Sequence, residues 1–415
     1  MKIYPFKALK PKKEFAFKIA SPPYDVINTK EAIEYAKGNP LSFLHIIRAE
    51  IDFPEGTDLY STEVYKKASE NLQKLIKEGY LIQEDLPSFY LYELQMEGRE
   101  QNGIVALVHC EDYEKGLIKI HEKTLKRKED DRLNYILYTK AHNEPVFFTY
   151  KGIEEIDEKV KEIKNEKPLF EFETKDQFGN VKHKLWVVSK EEDINQLKIN
   201  FEKVPCFYVA DGHHRSAASY RAFKQLKDEN KKHKGDEEYN YFMAVMFPKE
   251  ELYIYDYNRV VKDLNGLSRE EFIEKIKEKF EVIKNFEEKK PKNPKEFGMF
   301  LEGKWYLLKT KKGIYDENDI LKSLDVSILQ ENLLAPILGI KDPKTDERID
   351  FIGGILGMEA IENKIKQGWA VGFSLYPTSI DDVLKVADLG LTMPPKSTWF
   401  EPKLRSGLFL HLIPA

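Results

Sequence analysis

The stretch Tyr208-Val209-Ala210-Asp211-Gly212-His213-His214-Arg215-Ser216-Ala217-Ala218 decides how this chain is read. An apolar run from Cys206 to Ala210 predicts a strand, Asp211 and Gly212 predict a tight turn, and the pattern through about Leu226 predicts a helix. A helix start exposes unsatisfied backbone N–H groups and the positive end of the helix dipole, so it attracts an anion. Two imidazoles and a guanidinium crowd the first turn of this one. Arginine can grip two phosphate oxygens in a fork, and histidine can donate a hydrogen bond or a proton to the same group. Helix capping by Asp211 explains one polar residue there but not four in succession. A phosphate site is therefore expected at Gly212, His214 and Arg215, with Asp211 and His213 beside it.

On either side, strand-like and helix-like patterns alternate without an internal repeat, which predicts a mixed α/β protein. Tyr60, Val64, Ala68, Leu72, Leu75 and Ile76 recur at helical spacing, and Gly79 ends the run. Phe89 to Met96 and Ile104 to Cys110 flank a polar, glycine-containing turn and predict a hairpin, and a second hairpin is expected to turn at Phe178, Gly179 and Asn180. Leu133, Ile136 and Leu137 mark a further helix, Pro145 to Tyr150 a strand, and Ile153, Ile156, Val160 and Ile163 a helix with a charged outer face. Tyr241 to Phe247 and Leu252 to Val261 read as two strands, and Ser268 with Glu271 as a capping box. A boundary just before that helix gives two regions, 1–265 and 266–415. The second contains Trp369 to Leu375, a nearly all-apolar strand expected to be buried on both faces.

The 415 residues suffice for two or three cores, being 41% hydrophobic and 33% charged. A mean hydropathy of -0.54 and apolar runs that, like Ile104 to Val108, stay far below the about 20 apolar residues a membrane span needs predict no such span. The start of the chain is Lys-rich and lacks an apolar signal core, so the expected location is cytoplasmic. Sixty-six Lys and Arg against 71 Asp and Glu leave a formal charge of -5, which disfavours non-specific nucleic-acid binding. The two cysteines, Cys110 and Cys206, stand in apolar runs and are expected buried and reduced, which excludes a disulfide scaffold or a Cys-ligated zinc site.

Three further motifs carry polar chemistry. In Ile120-His121-Glu122-Lys123-Thr124, a carboxylate beside an imidazole suits a general base or a metal ligand, although a surface loop explains the pair equally well. The run Lys126 to Asp131 just after it reads as a solvated helix face. In Ser21-Pro22-Pro23-Tyr24-Asp25-Val26, the prolines would fix Tyr24 and Asp25, and a turn followed by an N-cap accounts for them as well. From Met393-Pro394-Pro395-Lys396-Ser397-Thr398 to Lys403-Leu404-Arg405-Ser406-Gly407, three cations and three hydroxyls share a proline-stiffened stretch whose composition suits anion binding. Gly353 and Gly354 make no dinucleotide fingerprint, because no third glycine opens a helix at the required spacing.

Taken in order, Pro22-Pro23-Tyr24-Asp25-Val26, His121-Glu122-Lys123-Thr124, Ala210-Asp211-Gly212-His213-His214-Arg215 and Met393-Pro394-Pro395-Lys396-Ser397-Thr398 resemble the prokaryotic domain-of-unknown-function family 1015 over essentially the whole chain. The Asp-Gly-His-His-Arg element also resembles the Gly-x-x-Arg phosphate motif of the ParB/sulfiredoxin superfamily, most closely that of its free-serine kinases. This second resemblance implies a ParB/sulfiredoxin-like core, here elaborated with hairpins and a C-terminal α/β region, and phosphoryl transfer to the hydroxyl of a small molecule, with L-serine the best single acceptor. Such transfer is mostly positioning and charge neutralisation. On the reading as such a kinase, Glu122 is expected to take the acceptor proton with His121 beside it, and Asp211 to help hold an expected Mg²⁺ or orient the site. The transferring phosphate falls to His213, His214 and Arg215, and substrate or donor contacts to Tyr24, Asp25, Lys396, Ser397, Thr398, Lys403 and Arg405. The chain has no Walker A sequence, so ATP, ADP and pyrophosphate all stand as donors. The expected partners are thus a small-molecule substrate and a phosphate donor, with no nucleic acid and no membrane. A non-catalytic nucleotide or phosphometabolite sensor and a phosphoester hydrolase stay open as alternatives.

Overall fold

In the computed structural model, which describes residues 1–414, the strand expected before Asp211 sits inside a mixed eight-stranded sheet, and the chain is a mixed α/β protein as its patterns predict. The helix α1 (Thr62–Lys77) precedes the hairpin β1 (Phe89–Met96) and β2 (Arg99–His109). The turn between these strands is Glu97-Gly98, both at positive φ, the geometry that matches the strands' own twist. Then come β3 (Ile118–Lys119), α2 (Lys126–Thr139), β4 (Val146–Tyr150) and α3 (Glu154–Lys164). The second hairpin is β5 (Phe170–Asp176) and β6 (Gly179–Val188), and α4 (Glu191–Glu202) leads to β7 (Phe207–Asp211), α5 (His213–Glu229) and β8 (Tyr241–Pro248). The sheet order is β3-β7-β4-β8-β2-β1-β6-β5. Its core places Phe89, Leu91, Phe148, Phe207, Val209 and Phe242 against apolar residues of α2, α3, α4 and α5.

One pairing positions the site. The short strand β3 runs parallel to β7, with Ile118 opposite Phe207 and Lys119 opposite Tyr208. Parallel neighbours end on the same side of a sheet, so the loop that begins at Ile120 and the turn at Asp211 leave the sheet together.

The described residues divide into two units, Met1–Leu252 with the segment from Pro402 onward, and Tyr253–Glu401. The boundary expected after residue 265 lies within the second unit, because Tyr257–Val261 pairs with strands of that unit. The single strand expected from Leu252 to Val261 is also two, β9 (Tyr253–Tyr255) and β10 (Tyr257–Val261). Between them Asp256, 1% exposed, accepts from Asn258 Nδ2 at 2.6 Å and faces Lys290 Nζ at 2.5 Å. A buried charge with its own partners cannot sit in a continuous apolar ladder.

The rest of the second unit includes α6 (Arg269–Lys279), β11 (Phe280–Lys284), β12 (Glu296–Leu301), β13 (Lys304–Thr310), β14 (Ile349–Gly353), α7 (Gly357–Lys366), β15 (Val371–Leu375), α8 (Ile380–Asp388) and β16 (Trp399–Glu401). Its antiparallel sheet has the order β11-β13-β12-β15-β10-β14, and β9 pairs with β16. The capping box at Ser268 and Glu271 is formed in both directions, and all five residues of β15 are buried, as its composition predicts. Among the described residues no helix is long and apolar enough to cross a membrane.

Candidate functional site

Gly212 turns the chain from β7 into α5 with φ +93°, a conformation costly for any residue with a Cβ. It is also packed against the first turn of α5, since a Cβ there would lie 3.0 Å from Arg215 Nε. Arg215 is buried. Its NH1 donates to Pro145 O at 2.7 Å and its NH2 to Asp211 Oδ2 at 2.9 Å, while the buried Nε has no partner. Lys403 Nζ stands 3.8 Å from Asp211 Oδ1. Burial would raise the Asp211 carboxyl, yet Lys403 and Arg215 hold it down at about 2. Asp211 is therefore a fixed anion with a cation on each oxygen.

The parallel strands bring His121 to this turn. Its ring lies 4.5 Å from that of His213, edge to face, and its backbone N–H points at His213 Nε2 over a long 3.5 Å. His214 Nε2 accepts from the Leu125 N–H at 3.1 Å. Each imidazole of the pair His213 and His214 thus receives a backbone donor from the 121–125 loop, which requires the neutral ring. Burial draws His121 and His214 down to about 4 and His213 well below its usual value. These histidines bind the loop to the helix start and add no positive charge near pH 7, so the cationic share of the site comes from Arg215 and Lys403. Glu122, next to His121, is half-buried in the same loop.

Tyr24 reaches the cluster through Glu144, a residue that no sequence motif singles out. The Tyr24 N–H donates to Glu144 Oε1 at 3.3 Å, Ser406 Oγ donates to the same oxygen at 2.9 Å, and Arg132 NH1 donates to Glu144 Oε2 at 3.4 Å. The Arg132 guanidinium stacks 3.8 Å from the centre of the Tyr24 ring, and it pairs with Asp131 at 2.6 Å. Asp131 is therefore buried, accepting also from Tyr65, and does not belong to a solvated face. Glu129 and Asp130 tie α2 to Arg221 of α5. Burial raises the Glu144 carboxyl, while Arg215 and Arg132 oppose the rise. Its only sequence signal is a glutamate set directly between Asn143 and Pro145 at the mouth of an apolar strand. Asp25 is exposed, close enough for its charge to act on His214 and Arg215. A cavity of about 190 Å³ opens here, lined among others by Tyr24, Asp25, Arg48, Lys128 and Arg132.

The C-terminal candidates part company. Lys403 belongs to the cluster. Arg405 does not, because its buried guanidinium donates to Asp176 at 2.6 Å, Thr174 at 3.0 Å and Tyr35 at 3.2 Å, and so fastens the hairpin β5–β6. Lys396, Ser397 and Thr398 lie in the second unit. Both cysteines are free and buried. The donor set does not fit a protein-held Mg²⁺. Asp211 already faces two cations, and among the described residues no group of three or more His, Cys, Asp or Glu side chains is disposed to hold a metal ion.

A family model described as a protein of unknown function, DUF1015, matches residues 3–327. The chain belongs to this family. No curated protein sequence matches this DUF1015 member. Among solved structures it is similar to a free serine kinase variant in complex with AMP, at 14% identity and a TM-score of 0.37, over 73% of this chain and 92% of that one. It is also similar to a C-terminally truncated SbnI from Staphylococcus aureus, at 12% identity and a TM-score of 0.38, over 74% and 87%. A conserved hypothetical protein from Pyrococcus furiosus stands at 14% and 0.35, over 73% and 95%.

Proposed function

We propose that this DUF1015 chain is a small-molecule phosphotransferase, moving a phosphoryl group from a nucleotide or pyrophosphate donor to a free hydroxyl amino acid, with L-serine the leading acceptor. The reading of the first unit as a ParB/sulfiredoxin-like core, which rests on the motif at 211–215, is part of the same proposal. The observation that carries it is the buried Arg215 Nε, left without a partner against Gly212 while the rest of the guanidinium is fixed by Pro145 and Asp211. A buried donor without an acceptor is destabilising, and an anionic oxygen at the start of α5 would satisfy it. Lys403 adds a second cation for the donor's phosphates, and Asp211 orients both. His213 and His214 keep neutral rings that fix the 121–125 loop, so that Glu122 can take the acceptor hydroxyl proton. The cavity beside Tyr24 and Asp25 offers carboxylate and guanidinium groups together, the pairing a zwitterionic amino acid needs.

The test is incubation of the purified chain with ATP, ADP or pyrophosphate and a panel of hydroxyl amino acids, followed by mass detection of phosphorylated product. O-phosphoserine from at least one donor is expected. Phosphate release that needs no amino acid would make the protein a hydrolase, and donor binding without turnover would make it a sensor.

A further inference from the structure

Arg259 lies in the middle of β10 and is 3% exposed. The buried arginines of the first unit each face a carboxylate, Arg132 with Asp131, Arg215 with Asp211 and Arg405 with Asp176. Arg259 has none among the described residues. Its guanidinium donates to two main-chain carbonyls, Tyr257 O and Lys396 O, the latter at 2.9 Å, and its centre lies 5.4 Å from that of the Phe351 ring. Burial accordingly pulls it down to about 10, whereas the three paired arginines are raised. An unneutralised buried charge is costly and calls for a compensating anion.

The loop above it is built and not loose. Lys396 has φ +57°, a strained setting for a side chain of its size. The carbonyls on each side of that strain are held, Lys396 O by Arg259 and Ser397 O by Thr378 Oγ1 at 2.9 Å, and Ser397 Oγ closes the turn onto Pro394 O at 2.6 Å. Lys396 Nζ stands 5.5 Å over the Tyr257 ring, which meets the Trp399 ring at 5.1 Å and the Phe351 ring at 6.0 Å. Trp399 in turn lies so close on Gly353 that a Cβ there would come within 2.9 Å of the indole.

We infer that the Met393–Thr398 loop, pinned by Arg259, is an oxyanion site carried within the second unit, which takes a phosphate or carboxylate group of a small metabolite between the Lys396 ammonium and the Arg259 charge. The inference does not depend on the reading of the first unit. The full chain is titrated calorimetrically with inorganic pyrophosphate and, separately, with succinate, in the wild type and in Lys396→Ala, Arg259→Met and Arg215→Ala. The expected result is a binding component that survives Arg215→Ala and weakens about tenfold or more in Lys396→Ala and in Arg259→Met. Pyrophosphate alone showing it assigns a phosphate ligand, and succinate alone a carboxylate. Lys396 is exposed, so its variant decides the matter if Arg259→Met does not fold. Affinity unchanged in Lys396→Ala, or no component left in Arg215→Ala, overturns the site.

Discussion

Arg215→Ala deletes the one guanidinium that joins Asp211, Pro145 and the turn glycine. Donor affinity measured by calorimetry should fall by about 1.5–3 kcal/mol, the range for a charge-assisted hydrogen bond, if the phosphate meets that group directly. Unchanged affinity would remove Arg215 from the donor site. The histidines give a pH signature whose sign is fixed by their environment. His121 and His214 titrate near 4 in the folded chain and near 6.5 when unfolded, so between those values the unfolded state binds more protons. Their contribution to stability is whole above pH 6.5 and is lost as pH falls toward 4. The urea midpoint should drop across that window, and His121→Asn should flatten the drop. An equally steep slope in the variant would contradict the burial argument. At this scale the sequence was most legible where unlike polar residues crowd a short motif, as at 211–215. It was silent on Glu144 and Arg132, whose roles come from long-range pairing with Tyr24, Ser406 and Arg215, and it overrated Arg405, whose charge is neutralised by Asp176.

At the scale of elements, the junction of β7 and α5 carries the strongest constraint. Gly212→Ala forces a side chain into φ +93° and against Arg215 Nε at 3.0 Å. The variant should lose about 1–3 kcal/mol of stability in denaturant unfolding, together with much of its donor affinity, because the guanidinium must move. Stability and affinity both at wild-type values would show that the turn tolerates a Cβ and that the glycine is not needed for the approach of Arg215. The strand, the turn and the helix were all readable there because each has its own local signal. The parallel pairing of β3 with β7, which brings His121 to His213, was not, since a two-residue strand has no periodicity to read. The same holds for β11, β12 and β13, which are short and interrupted by charged turns, and for the break at Asp256, visible only once its partners Asn258 and Lys290 are in place.

For the whole molecule, length and alternation of patterns sufficed to predict a mixed α/β chain with more than one core, but not that its end returns to its beginning. Leu404, Leu408, Phe409 and Leu410 are buried in the first unit, His411 and Leu412 pair with His142 and Ala141, and Lys403 reaches Asp211. Removing the chain from Pro402 onward should therefore destabilise the first unit and abolish donor binding in it, seen as faster proteolysis and loss of the Arg215-dependent calorimetric component. A truncated chain as protease-resistant as the full one would contradict this topology. The proposed activity is transfer of phosphate to an amino-acid hydroxyl by the cluster of His121, Glu122, Asp211, His213, Arg215 and Lys403. Its most direct test is single-turnover transfer from ATP, ADP or pyrophosphate to L-serine in the wild type and in Glu122→Gln, with donor affinity measured alongside. Transfer by the wild type, slowed by about 10²–10⁴ in the variant at unchanged donor affinity, is the predicted result. Equal rates in the two proteins would contradict the role of Glu122, and no transfer from any donor would contradict the claim itself.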